Sequence, residues 1–147
     1  MSAKKVKVGN MNDVQMDVSA CRVALQARQA QQYAKREKRR QAALDSVRAA
    51  AASVFPRFPA VRRAYLFGSA VRSGALRATS DVDIAIEGVL DAETYFAVWR
   101  ALEMAVEEWP LDVVELSADL RFASRVREQG ELIYEHPDSD IESGYRG

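Results

Sequence analysis

From Val18 to Phe55 the chain carries no proline and no glycine, and Ala, Gln, Arg and Lys dominate. These residues lose little freedom in a helix, so one long helix or two consecutive ones should fill the stretch. Pro56 and Pro59 then stop it, because proline lacks the amide that a helix interior needs. The second half is amphipathic: Leu44, Val47, Ala51, Val54 and Phe55 fall at helical spacing and form one apolar stripe that should pack on a core. The first half offers only Val23, Leu25 and Tyr33 as sizeable apolar groups, so it should project from the domain or dock on a partner.

Beyond the prolines the pattern changes to short apolar runs. Ala64 to Phe67 reads as a strand that ends at Gly68-Ser69, and Val82 to Glu87 alternates Val82, Ile84 and Ile86 with Asp81, Asp83 and Ala85 across a pleat. Asp91 can cap a helix from about Ala92 to Glu108, with Tyr95, Trp99, Leu102 and Val106 on one face. Pro110 restarts the chain as a strand from Leu111 to Leu116. A helix from about Ala118 to Gln129, capped by Gly130, and a short strand or edge segment Leu132 to Tyr134 complete the order. The expected fold is α/β (α+β), a small mixed sheet flanked by helices with an N-terminal helical extension.

The 147 residues suffice for one core. No apolar run approaches the roughly 18 residues of a membrane span, and the lysines after Met1 are not followed by the apolar middle of a secretory signal. The expected address is cytoplasmic, without a membrane partner. Cys21 is alone and so forms neither an internal disulfide nor a cysteine zinc site. A net charge of zero hides a polarity: fourteen basic against four acidic side chains up to Arg63 leave that part at +10, while the remaining seven basic and seventeen acidic ones leave −10. The acidic part needs cations; the basic part needs acids, phosphates or the acidic part itself.

Asp81 and Asp83 are two apart in a strand, so both project from one face while their apolar neighbours anchor the other. Side-by-side carboxylates repel unless a cation neutralises them, and magnesium suits hard carboxylate oxygens completed by water and substrate phosphates. Asp-x-Asp alone can equally be a solvated pair. Gly68-Ser69 at the end of the preceding strand changes the odds. Gly68 lets the backbone turn, the amides of Ser69 to Val71 face outward if they open a helical turn, and Ser69 adds a hydroxyl and Arg72 a charge, a combination suited to phosphate.

In this order of strand, Gly-Ser, spacer and Asp-x-Asp, the chain resembles the minimal nucleotidyltransferases of the polymerase-beta-like superfamily. The resemblance rests on Ala64 to Glu87, extends through Leu111 to Leu116 and Arg125 to Glu135, and covers about Ala43 to Glu135. The implied division is a flexible arm over 1–17, a basic helical extension over 18–42, the nucleotidyltransferase domain over 43–135 and an acidic tail over 136–147. By that resemblance Asp112 joins Asp81 and Asp83 as the third metal ligand, and Glu115, on the opposite face of its strand, does not. Two magnesium ions, with ATP as donor at Gly68, Ser69 and Arg72, are implied, as is in-line attack of an acceptor hydroxyl on the α-phosphate. One departure concerns the loop: Arg72 is followed by Ser73-Gly74 where the family has Arg-Gly, and the spacer is one residue longer.

Small stand-alone members resemble antitoxins that silence a helical HEPN toxin by adding AMP to one of its tyrosines, and such a toxin is the first expected partner. The alternatives are a non-catalytic protein that masks a toxin or nucleic acid, and a nucleotidyltransferase acting on RNA or a small molecule. The basic run from Arg22 to Arg40 is either a solvated helix face or a contact for an acidic or phosphate-bearing partner such as RNA, and a homo-oligomer is compatible with the sequence. His136, the only histidine, lies past the last expected element and reads as an exposed bystander.

Overall fold

The computed structural model describes the backbone of residues 11–116 and 119–138, with side chains from Asp17 onward. Helix α1 runs from Met11 to Val54 without a break, so the helix starts within the segment expected to be a flexible arm. Polar residues in this first turn do not break a helix, which explains why apolar periodicity missed it. A short 3₁₀ turn over Phe55–Arg57, with Pro56 inside it, ends α1. Strand β1 (Val61–Phe67), a 3₁₀ turn (Gly68–Val71), β2 (Val82–Gly88), helix α2 (Ala92–Ala105), β3 (Leu111–Glu115), helix α3 (Leu120–Gln129) and β4 (Glu131–Glu135) follow. The chain forms two compact units that divide between Lys35 and Arg36.

In the first unit every described side chain from Asp17 to Lys35 is exposed, Val18, Val23, Leu25, Tyr33 and Cys21 included. The second unit is built on a mixed four-stranded sheet in the order β3-β2-β1-β4. Strand β1 pairs antiparallel with β2 and with β4, and β2 runs parallel to β3. One face of the sheet, with Leu66, Val82, Ile84, Ile86 and Val113, shares a core with Ala43, Leu44, Val47 and Val54 of α1, with Phe55 of the 3₁₀ turn that follows it, and with Val98 and Leu102 of α2. The other face, with Tyr65 and Ala85, packs on Ala123 and Val126 of α3. Tyr95 and Trp99 pack on the first core from its margin.

Several bounds shift for local reasons. Helix α2 stops at Ala105 instead of Glu108: the Val106 amide closes the last turn on the Leu102 carbonyl at 2.9 Å, and Glu107 and Glu108 would bring charge to the negative end of a helix. Helix α3 begins at Leu120, where the Asp119 carboxylate caps it by accepting from the Arg121 and Phe122 amides at 3.0 and 3.3 Å. Strand β1 starts earlier than expected, at Val61, and β4 spans Glu131–Glu135 as a true edge strand. His136 is not exposed: its amide extends the ladder to the Arg62 carbonyl at 2.8 Å, and its ring accepts from the Asp138 amide at 3.1 Å, leaving it only 18% exposed. Asp138 is exposed, while Asp140 and Glu142 of the expected tail lie outside the described residues. No helix among the described residues is long and apolar enough to cross a membrane.

Candidate functional site

Strand β1 delivers its last residue, Phe67, directly opposite Asp83 of β2, and β2 in turn sets Asp83 opposite Asp112 of β3. Parallel pairing in register makes the latter two carboxylates neighbours on one face, the face that α3 covers. Asp83 and Asp112 are half-buried, while Asp81, just before β2, is exposed. Tyr95 of α2 donates its hydroxyl to the carbonyl of Val113, the residue after Asp112, and so ties β3 in place beside the site.

Gly68 follows Phe67 with φ +71°, a conformation that residues with a Cβ rarely adopt. A Cβ there would also stand 2.4 Å from Asp83 Oδ2, so the Asp83 carboxylate lies against the backbone of the Gly-Ser turn. Burial, then the neighbouring charge of Asp112, then that of Asp81, hold the Asp83 carboxyl above the ordinary range. The Asp83 carboxylate therefore feels the charge of Asp112 and, less strongly, that of Asp81, and both effects are repulsive. Ser69 is half-buried and Arg72 exposed, and the Arg72 amide closes the turn on the Ser69 carbonyl at 3.2 Å.

These donors suit magnesium: all are carboxylates, and their mutual repulsion is what a divalent cation relieves. Among the described residues, no set of three or more Asp, Glu, His or Cys side chains is gathered closely enough to hold a metal ion unaided. Asp81, Asp83 and Asp112, the expected ligand set, are thus not gathered as three carboxylates around one point; the strand register brings Asp83 and Asp112 together, and Asp81 stands apart just before β2.

Beside Gly68 opens a cleft of about 360 Å³ between the Gly-Ser turn and α3. Phe67, Val71, Phe122 and Val126 give it apolar walls, and Arg72, Arg125 and Gln129 contribute polar groups. Phe67 and Phe122 meet edge to face with ring centres 5.4 Å apart. A cleft of this kind suits a molecule with an aromatic or apolar body and negative charge. Arg125 and Gln129 were not expected here. Their signal was the helical spacing of Phe122, Arg125, Val126 and Gln129 along α3, which only becomes informative once α3 is known to face the turn.

The basic run is not uniform. Arg22, Arg28 and Lys35 are exposed, whereas Arg39 stacks over the Trp109 ring at 5.5 Å and Arg40 pairs with Glu37 at 2.9 Å. At the C-terminal end of the run Arg39 is still exposed while it lies over Trp109, and Arg40 is engaged by Glu37 and the Ala70 carbonyl, so these two guanidinium groups also serve the fold.

Among solved structures, the chain is similar to a toxin-antitoxin with AMP-PNP, at 24% identity and a TM-score of 0.52 over 67% of this chain and 82% of that one. It is likewise similar to a mutant of the toxin-antitoxin MntA-HpeT, at 23% identity and a TM-score of 0.50 over 65% of this chain and 78% of that one. Identities this low speak to the fold, and the fold agrees with the mixed sheet and flanking helices described above. No curated protein matches the chain. The model of the polymerase beta nucleotidyltransferases matches residues 50–139, which hold the Gly-Ser turn and all three aspartates. The chain belongs to the polymerase beta nucleotidyltransferase family.

Proposed function

We propose that this protein transfers AMP from ATP, with magnesium, to an acceptor hydroxyl, and that the acceptor is a tyrosine of a cognate helical HEPN toxin. The observation that carries the reading is the contact of the Asp83 carboxylate with Gly68, with Asp112 in register on the next strand. It brings a turn suited to phosphate and a pair of repelling carboxylates to one end of one sheet. The membership in a nucleotidyltransferase family and the likeness to a toxin-antitoxin with AMP-PNP support it.

In this reading Asp81, Asp83 and Asp112 would hold two magnesium ions, with phosphate oxygens and water supplying the remaining ligands. When bound, magnesium neutralises phosphate charge, lowers the proton affinity of the acceptor oxygen and stabilises departing pyrophosphate. The Ser69 hydroxyl and the amides of the Gly68–Val71 turn hold phosphate oxygens, and Arg72 and Arg125 add positive charge at the cleft. The acceptor oxygen forms a bond to the α-phosphorus as the bond to pyrophosphate breaks, and the acceptor proton leaves to solvent. Asp112 would act as a ligand in preference to a base, because a carboxylate that shares its charge with a cation holds a proton poorly. The apolar cleft walls limit water around the nucleotide.

The test is transfer of label from ATP carrying labelled α-phosphate to a HEPN protein encoded beside this gene. Label on a toxin tyrosine, lost with Asp81→Asn plus Asp83→Asn, is the expected result. Absence of label on that protein with wild-type antitoxin, under conditions where ATP and magnesium bind, would remove the toxin as acceptor and leave RNA or a small molecule.

A further inference from the structure

Within the second unit, Glu37 and Arg40 of α1 reach the two ends of the segment that leads from the Gly-Ser turn into the spacer loop. The Glu37 carboxylate accepts from the Gly74 amide at 2.5 Å and from Arg40 Nε and Nη2 at 2.9 and 3.0 Å. Arg40 Nη1 donates to the Ala70 carbonyl at 3.0 Å. One ion pair thus grips the chain before and after Arg72. The side chains are 13% exposed for Arg40 and 22% for Glu37, so the pair is shielded enough for its hydrogen bonds to matter. Hydrogen bonding from Arg40, then from the Gly74 amide, holds the Glu37 carboxyl below the ordinary range, as expected for an acceptor that must stay ionised.

The loop needs such a hold. Gly74 has φ +72°, and this is the place where the chain departs from the family pattern by a longer spacer. Other hydrogen bonds of the loop run within it: Ala75 amide to Arg72 carbonyl at 3.1 Å, Ser80 amide to Arg77 carbonyl at 3.0 Å, and Arg77 amide to Ser80 Oγ at 3.0 Å. Buried Leu76 is its apolar anchor. An anchor of that kind fixes the middle of the loop but not the orientation of the peptides on either side of Arg72.

The geometry points to Glu37 and Arg40 as positioning residues that preset the turn and loop for the triphosphate of a nucleotide, by fixing the backbone on both sides of Arg72. This rests on the reading of Gly68, Ser69 and Arg72 as the phosphate site. The preset saves the entropy of ordering the loop at each binding event, so its loss is felt in nucleotide affinity more than in folding. Sequence could not disclose the link, because Glu37 lies 37 residues before Gly74 and outside the stretch that carries the resemblance.

The experiment compares wild type, Glu37→Ala and Glu37→Gln by thermal melting, amide hydrogen exchange across residues 70–76, and calorimetric titration with ATP in magnesium. For Glu37→Ala, exchange in the loop should rise and ATP affinity should fall by roughly tenfold, the scale set by a hydrogen bond to a charged group, while the melting temperature falls modestly because Arg40 loses this carboxylate. Glu37→Gln keeps an acceptor for the Gly74 amide and should recover part of both losses; it also carries the test if Glu37→Ala does not fold. Wild-type affinity and wild-type loop exchange in the folded variants would overturn the positioning role and leave the nucleotide site standing. Failure of the wild type itself to bind ATP with magnesium would instead remove the phosphate-site reading, and the positioning role with it.

Discussion

The two ends of one helix follow different rules. From Asp17 to Lys35 every side chain is exposed, whereas from Ala43 to Phe55 seven residues are buried in the core of the second unit: Ala43, Leu44, Val47, Ala50, Ala51, Val54 and Phe55. Composition hardly distinguishes them, since Ala is the commonest residue in both. The difference is phase. In the second stretch the apolar groups recur on one side and acquire a core, and in the first they are few and scattered among cations. Helix propensity accounts for the first stretch, tertiary burial for the second.

The sharpest way to break this comparison is to truncate an apolar side chain in each stretch. Phe55→Ala removes a fully buried ring and should cost about 3–5 kcal/mol of unfolding free energy, while Leu25→Ala, at a residue 53% exposed, should stay within about 0.5 kcal/mol. Urea unfolding of both variants measures the contrast; a comparable loss for Leu25→Ala would mean that the N-terminal stretch is packed against something in solution.

A smaller effect is expected inside the site. Ser69→Ala removes one hydrogen bond to a charged group, so ATP affinity in magnesium should fall by roughly 1.5–3 kcal/mol with the melting temperature nearly unchanged. Retained affinity with a collapsed melting temperature would make Ser69 a structural turn residue.

Next comes the basic surface. Reversing Arg22, Arg28 and Lys35 to Glu leaves Arg39 on Trp109 and Arg40 on Glu37 untouched, so ATP binding should not change. Association with an acidic or phosphate-bearing partner should slow several-fold and lose its dependence on salt. An unchanged on-rate across a salt series would show the stretch to be only a solvated face.

The smallest effect belongs to the ion pair of Arg48 with Glu131, at 2.6 Å between the end of α1 and β4. Hydrogen bonding from Arg48 holds the Glu131 carboxyl below the ordinary range. Its folded proton affinity is therefore lower than the unfolded one, so the stabilisation is complete above the ordinary glutamate range and is lost as pH falls through the lowered value. Melting of Glu131→Gln should accordingly fall below wild type at neutral pH and converge with it in acid. Both side chains are over one-third exposed, which keeps the difference small.

Most of the second unit was legible in the sequence because its signals are periodic or local. The alternation from Asp81 to Ile86 set the two faces of β2, and Asp91 announced the start of α2, where its side chain accepts from the Thr94 amide at 2.7 Å. The order Gly68-Ser69 to Asp81 and Asp83 located the candidate site, and the register that sets Asp83 between Phe67 and Asp112 brings those parts to one end of the sheet. What was not legible depends on contacts between distant residues. Arg125 lines the cleft because α3 faces the turn, Glu37 meets Gly74 because α1 passes the loop, and His136 is covered because β4 carries the chain back along β1. No window of sequence contains those pairs.

The central claim, that the Gly68-Ser69 turn and the three aspartates form one nucleotide and magnesium site, is tested most directly by thermal melting with ATP and magnesium, alone and together, on wild type and on Asp81→Asn plus Asp83→Asn. Repelling carboxylates need a cation, and a triphosphate supplies the oxygens that complete its shell, so the two ligands should stabilise cooperatively. The wild type should gain most with both present and much less with either alone, and the double variant should lose the joint gain. An equal gain in the double variant would contradict the site.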